Sequence, residues 1–416
     1  MLLAQLVPDP SYLNSGDNAW QLTAATLVGL MSVPGLAILY AGIMKRKWAV
    51  NSAMMVLYAF AMTLIVWTLF AYNMSFGHPG IGAVVGQPGT VLSANSLETQ
   101  AQIPLLNGLV PPLRFPLSSM VYFQFVFAAI TVIILGGSLL GRISFKAWAL
   151  LVPLWITLVY SVGAFSLWGG GWLSQMGAVD FSGGYVIHVA AAVSGFTAAA
   201  VIGPRLLRDR QHTSPSNLIM AVAGGGLLWL GWAGFNGGDP YFANADAAAA
   251  ILNTHLCTAT ALCTWVMWDA LRFKKVSVAG AINGMVAGLV AITPASGFVG
   301  PDASVLIGVA AGVICFFAST SVKKAFGYDD SLDAFGVHCI GGIVGALLTG
   351  ALVSKEISGA TGSVLLQLKG VAATLIWSFV WSIIILKVLD MTIGIRVSAD
   401  EEREGLDISQ HGESIG

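Results

Sequence analysis

Eleven times along this chain an apolar stretch recurs that is long enough to cross a lipid bilayer, and nothing else in the sequence restricts its fold so tightly. A crossing helix needs about 20 mostly apolar residues. Such stretches run near 19–43, 49–74, 118–140, 147–166, 184–203, 218–237, 246–271, 278–296, 303–322, 335–353 and 363–395. In hydrocarbon every backbone N–H and C=O must be bonded internally, which makes these segments helices. Only 9% of the 416 residues are charged and 56% are hydrophobic, whereas an ordinary soluble domain carries about 25% charged residues. The sequence therefore predicts an all-α polytopic membrane protein, membrane-embedded over 1–397 with a polar tail over 398–416.

Loop charges give the orientation, because basic residues collect on the cytoplasmic side. With the N-terminus outside, the inner loops receive Lys45, Arg46, Lys47, Arg142, Lys146, Arg205, Arg208, Arg210, Arg272, Lys274, Lys275, Lys323, Lys324, Arg396 and Arg403. Arg114 and Lys355 stay outside, and Lys369 and Lys387 fall in the last segment. This predicts N-out, C-in and an odd number of spans. Segments one to five (about 19–203) then run opposite to segments six to ten (about 218–353), the inverted-repeat arrangement of many transporters. The last segment is longer than a bilayer requires, which predicts tilt, with Lys387 and Asp390 as a local pair. Gly280, Gly284 and Gly288 step along one helix face, as close helix packing requires.

Several function classes drop out. A net charge of -1, with no basic patch interleaved with aromatics, offers nothing to nucleic acid. Cys257, Cys263, Cys315 and Cys339 sit in apolar segments without CxxC spacing, so no metal cluster or cofactor site is expected. Met1–Asn18 lacks a basic stretch before an apolar core, which argues against a signal peptide.

Two stretches resemble distorted copies of each other: Asp180-Phe181-Ser182-Gly183-Gly184-Tyr185-Val186-Ile187-His188 and Asp330-Ser331-Leu332-Asp333-Ala334-Phe335-Gly336-Val337-His338. Were a helix to start at each aspartate, each histidine would lie roughly 12 Å deep, near the middle of a bilayer core about 30 Å thick. Hydropathy alone starts both helices later. An ionisable group at that depth marks a substrate or proton path; the plain alternative for either histidine is a hydrogen-bonded packing residue.

Further marks stand in order along the chain: Val33-Pro34-Gly35, Tyr40-Ala41-Gly42, Trp168-Gly169-Gly170-Gly171, Gly177-Ala178-Val179-Asp180-Phe181, Gly231-Trp232-Ala233-Gly234-Phe235-Asn236, Thr293-Pro294-Ala295-Ser296-Gly297, Phe335-Gly336-Val337-His338 and Gly405-Leu406-Asp407. With this ordered set the chain resembles the ammonium transporter (Amt/Mep/Rh) family from Asp17 to Glu413. The resemblance implies ammonium or ammonia transport, not enzymatic activity, across a plasma membrane such as a bacterial inner membrane. It implies Phe127 and Trp168 as the aromatic faces that hold the cation, Phe123 and Phe235 as stacked gate rings, and His188 and His338 as paired pore imidazoles. Asp180, Asp330 and Asp333 take structural and electrostatic roles. It also implies a homotrimer, and a PII-type regulatory protein acting on a cytoplasmic tail.

One position departs from the commonest family pattern. Many members place a small hydroxyl residue four positions after the gate phenylalanine, where this chain has Asp239 in Phe235-Asn236-Gly237-Gly238-Asp239-Pro240, a sequence closer to the plant type-2 branch. A carboxylate about 4 Å from a cation contributes up to roughly 4 kcal/mol at an effective dielectric near 20, before desolvation is subtracted. Asp239 thus joins the expected substrate-binding set, with His255 as its suggested partner. Three rival readings remain: a carrier of methylated or larger amines, an ammonium sensor, and an enzyme with the histidines as metal ligands. The sensor needs a signalling domain for which a tail ending at Gly416 leaves no room, and the enzyme lacks a third ligand at recognisable spacing.

Overall fold

The computed structural model describes residues 9–93, 97–211 and 214–415, the Gln211 side chain excepted; Met1–Pro8, part of the stretch read for a signal peptide, and Gly416 lie outside them. Ten helices are long and apolar enough to cross a membrane: α1 (Ser15–Ile43), α2 (Arg46–Phe76), α3 (Leu117–Gly137), α4 (Phe145–Gln175), α5 (Gly184–Ile202), α6 (Leu218–Gly237), α7 (Ala245–Phe273), α9 (Pro301–Phe326), α10 (Phe335–Leu352) and α11 (Val364–Ile393). The shorter apolar helix α8 (Val278–Ile292) completes the eleven. A short antiparallel pair, β1 (Pro79–Ile81) with β2 (Val85–Gly86), lies in the loop after α2.

The two halves repeat a local distortion. Helix α5 opens with π-helical turns over Gly184–Val189 and α10 with π-helical turns over Phe335–Cys339, each carrying its histidine. The preceding span in each half is widened as well, over Ile156–Tyr160 in α4 and Ala318–Val322 in α9. In α4 the cause is legible: Pro153 removes one amide donor just before the widening, and the Ser161 hydroxyl donates to the Ile156 carbonyl at 3.0 Å.

The aspartates do not begin these helices. Helix α5 starts four residues after Asp180 and α10 five after Asp330, so eight residues of helical rise do not set the depth of either histidine. Both carboxylates instead receive the amides of the helix starts. Gly183, at φ 113, turns the chain through the left-handed region into α5.

Close packing follows the glycine step. A Cβ on Gly284 would stand 2.5 Å from the Trp265 Cβ, and one on Gly288 would stand 2.7 Å from the Ala261 Cβ, so α8 lies directly on α7. The 30-residue α11 is about 45 Å long, more than a perpendicular crossing needs. Lys387 and Asp390 are both exposed, and the expected local pair does not form among the described residues.

At the basic end of the bundle, Asp329 ties the halves together. It accepts from the Arg205 amide at 2.7 Å, Nε at 3.0 Å and Nη2 at 2.6 Å, while the buried Arg142 donates to its carbonyl and to Ser331 Oγ. Burial alone would raise the Asp329 carboxyl; Arg205 and Arg142 more than offset it and hold it well below the usual carboxylate range.

The polar tail is docked rather than free. Asp407 accepts the Val50 and Asn51 amides at 3.1 and 2.8 Å, capping a helix start that has no local side-chain cap. Glu402, fully buried, accepts from the Leu206 amide at 2.6 Å and Arg396 at 2.7 Å, and Gln410 accepts from the Phe145 amide at 3.1 Å. The polar tail is therefore not a simple solvated end. Asp407→Ala leaves two helix-start amides uncapped, a loss of about 1 kcal/mol or more; limited proteolysis should show the tail cut several-fold faster, with the membrane core intact.

Candidate functional site

An unbroken file of rings runs through the molecule where the halves meet. Trp168 meets Phe127 edge-on at 6.3 Å between centroids, and Phe127 lies stacked on Phe235 at 4.4 Å with 28° between planes. Phe235 is followed by His188 at 6.1 Å, and His188 by His338 at 5.3 Å, both nearly parallel. Trp232 flanks the file, parallel to His188 at 5.4 Å and held by its Nε1–H donating to Thr293 Oγ1 at 2.9 Å.

The stacked phenyl pair is thus Phe127 with Phe235, not Phe123 with Phe235. Phe123 and Phe127 are four residues apart on one face of α3, and their centroids are 4.8 Å apart. Which of them meets Phe235 depends on how far α3 is slid along α6. The slide found here puts Phe123 a turn nearer the Asp239 end, against Tyr241 at 6.0 Å.

Asp180 and Asp330 position the imidazoles. Asp180 Oδ1 accepts the Gly183 and Gly184 amides at 3.0 and 2.6 Å, and Oδ2 those of Tyr185 and Val186 at 2.9 and 3.1 Å. Four otherwise orphaned donors and the positive end of the helix dipole meet one carboxylate. The Asp180 carbonyl also accepts from Trp168 Nε1 at 2.9 Å, fixing that indole. Asp330 accepts a single amide, Phe335, at 2.7 Å. Asp333 sits at φ 58 and pairs with Lys323 Nζ at 2.5 Å, with Asn283 donating to its other oxygen at 3.2 Å.

The imidazoles meet through their Nδ1 atoms at 3.2 Å. One of these nitrogens must donate and the other accept, so the pair shares one proton in the contact and the two rings cannot both be charged at that distance. His188 is wholly buried and its Nε2 has no partner among the described residues, an available polar point in an otherwise apolar file. His338 borders a cavity of about 680 Å³ that reaches Lys45, Arg205 and Lys323 at the basic end.

At the opposite end Asp239 lies one turn beyond Phe235. Its Oδ2 is sealed from solvent without a hydrogen-bond partner, and burial pushes its carboxyl well up, with Ser182 only partly offsetting. The suggested His255 pairing does not occur: His255 Nδ1 accepts from Trp229 Nε1 at 2.9 Å. Among the described residues Trp229 meets the ring of His255, at 6.4 Å between centroids, and no ring of the file, which leaves His255 outside it. Trp232 and Tyr241 escaped the residue-by-residue reading, although Trp232 stood in the quoted Gly231–Asn236 motif. No group of His, Cys, Asp and Glu suited to a metal occurs among the described residues, and all four cysteines are free.

These features define a multi-pass helical membrane protein with an axial file of rings between inverted halves. The model of the Ammonium Transporter Family matches residues 19–415, and the chain belongs to that family. It is 44% identical to ammonium transporter 2 member 1 of Oryza sativa subsp. japonica over 99% of this chain and 88% of that protein. It is 45% identical to ammonium transporter 2 of Arabidopsis thaliana over 97% and 88%. Among solved structures, a sensor Amt protein superposes with TM-score 0.85 at 26% identity, covering 95% of this chain and 98% of that one. Mep2 of Saccharomyces cerevisiae gives 0.82 at 28%, covering 94% and 89%.

The unequal caps yield a comparison. Losing the Asp180 carboxylate strands four amides and losing that of Asp330 strands one, at about 1–3 kcal/mol for each buried group left unpaired. Asp180→Ala is expected to lower the thermal unfolding midpoint several times further than Asp330→Ala; equal losses would contradict the capping role.

Proposed function

We propose that this protein carries ammonium across a plasma membrane as ammonia. The basic end of the bundle faces the cytoplasm, so the N-terminus lies outside and the Trp168–Asp239 end is the outer mouth. There Phe123, Trp168 and Asp239 hold the cation, the ring faces through their quadrupoles and the carboxylate through its charge. Ammonium keeps its hydration too strongly to enter the apolar file, whereas neutral ammonia enters at little cost. The proton passes to water on the outer side, and ammonia passes the Phe127–Phe235 gate. His188 Nε2 then offers it a hydrogen bond, and the shared Nδ1 contact keeps both rings in the file's plane. Beyond His338 the wide basic-end cavity gives room to rehydrate and regain a proton.

The observation that carries this reading is the continuity of the file from Trp168 to His338 and its opening into the cavity. The docked tail is its regulatory part, a PII-type protein its natural partner at that face, and a homotrimer its assembly; family membership supports all three.

Growth of an uptake-deficient host on scarce ammonium tests the reading. Rescue by the unmodified protein and strong loss with His188→Ala are expected; absence of rescue by the unmodified protein contradicts transport. Neutralising the mouth charge should act on capture. Asp239→Asn is expected to raise the half-saturating ammonium concentration by about ten- to a hundredfold, a loss of about 1.4–2.8 kcal/mol, with a smaller change in maximal rate.

A further inference from the structure

The cavity of about 680 Å³ beside His338 gathers charge from three separate places in the chain. Lys45 reaches it from the turn between α1 and α2, Arg205 and Arg210 from the stretch between α5 and α6, and Lys323 and Lys324 from the end of α9. Against these cations stand Asp329 and Asp333, the carboxylates among its described lining residues. Asp209, which pairs with Lys45 at 2.8 Å, lowers the surplus without removing it. Basic residues collect on the cytoplasmic loops of any membrane protein. That tendency does not turn the basic residues of both halves onto one cavity.

Pairing leaves donors over. An ammonium group carries three N–H bonds, of which Lys45 gives one to Asp209, and Lys323 gives two, to the Asp330 carbonyl at 2.7 Å and to Asp333. Arg205 directs Nε and Nη2 at Asp329, and its Nη1 has no acceptor among the described residues. Arg210 and Lys324 are exposed and form no ion pair among the described residues. The wholly buried Trp48 ties part of the set to one indole, with Lys45 Nζ 5.7 Å and the Arg205 guanidinium 5.8 Å from its ring centre. Toward the ring file the walls change character: Ile130, Ile134, Val286 and Val337 line the space beside Trp232 and His338. Its size falls in the range that holds small organic ligands, and the positive surplus gives ammonium no hold there. A phosphate monoester with a small apolar body suits both parts. Its oxygens take the spare N–H donors, and its body displaces water from the apolar walls.

We infer that this cavity is a binding site for small soluble phosphate monoesters with an apolar body, the phosphate held by Lys45, Arg205 and Lys323 under the rim charges of Arg210 and Lys324. A ligand so placed stands between His338 and the basic face and stops the exit of the file. The binding does not depend on the transport reading; only the plugging rests on it.

Equilibrium dialysis of the full-length protein in phosphatidylcholine nanodiscs against radiolabelled phenyl phosphate tests it. One saturable site per chain is expected. Phenol, the ring without the charge, and inorganic phosphate, the charge without the ring, should each bind at least about tenfold more weakly. Raising KCl from about 0.05 to 0.5 M should weaken phenyl phosphate several-fold in the unmodified protein, because salt screens the charges. Arg210→Glu with Lys324→Glu should weaken it about tenfold or more. Lys274→Glu with Lys275→Glu makes the same change of charge on exposed residues outside the cavity lining and should leave the affinity within about twofold. Absence of saturable binding, phenol or inorganic phosphate binding as tightly as phenyl phosphate, indifference to salt, or equal effects of the two variant pairs overturns the site. Phosphatidylglycerol mixed into the discs should leave binding unchanged; displacement by it overturns a soluble ligand in favour of a lipid headgroup. In proteoliposomes, phenyl phosphate at its binding concentration should slow ammonium flux, and unchanged flux with the site filled overturns the plugging. A protein that rescues growth but binds no phenyl phosphate sinks this inference alone; one that binds it without rescuing growth sinks the transport reading alone.

Discussion

Two imidazoles held nitrogen to nitrogen inside a membrane protein are the constraint around which everything else is arranged. Their Nδ1 atoms stand 3.2 Å apart, and neither ring belongs to the same half of the chain. A contact of that kind survives only if both helix starts are pinned. Asp180 pins α5 with four amide bonds. Asp330 pins α10 with one, and the lighter grip is made up by the Arg205–Asp329–Arg142 cluster just before it. The wide π-helical turns then swing each histidine off the regular helical spacing and toward its counterpart.

The halves are alike in plan and unlike in chemistry. At the Asp180 end the file finishes on Trp168, hung from the same loop by its indole N–H. At the Asp330 end the cavity is wide and ringed by cations that are tied to Asp329, Asp333 and Asp209. The tail closes onto that same end through Glu402 and Asp407. A change in the tail therefore bears on loops that also position the second histidine, which gives a regulatory role a physical route.

Much of this was legible in the sequence, and what was not has identifiable causes. Span positions follow from segment length and apolarity, and nearly all ends agree with the structure to within a few residues. The glycine step on α8 found its partner in α7. The Asp–His spacing singled out two histidines that do meet, but for a geometric reason that does not hold, since the aspartates cap the helices instead of starting them. The choice between Phe123 and Phe127 turned on the register between α3 and α6, which one-turn spacing leaves undetermined. The fate of His255 turned on its hydrogen bond to Trp229 of another helix, which position along the chain does not reveal. The loop after α2 has no periodicity at all, and its tie to the first helix appears only once Arg114 meets Asp17 across the chain.

The central claim is that a solute without charge passes between rings contributed by opposed halves. A high-resolution density map of the protein saturated with ammonium tests it most directly. The account predicts a solute peak within hydrogen-bond distance of His188 Nε2, in line with the Phe235 ring and the cavity beside His338. Continuous side-chain density walling the two imidazoles off from Phe235 or from that cavity, with no peak between, would contradict it.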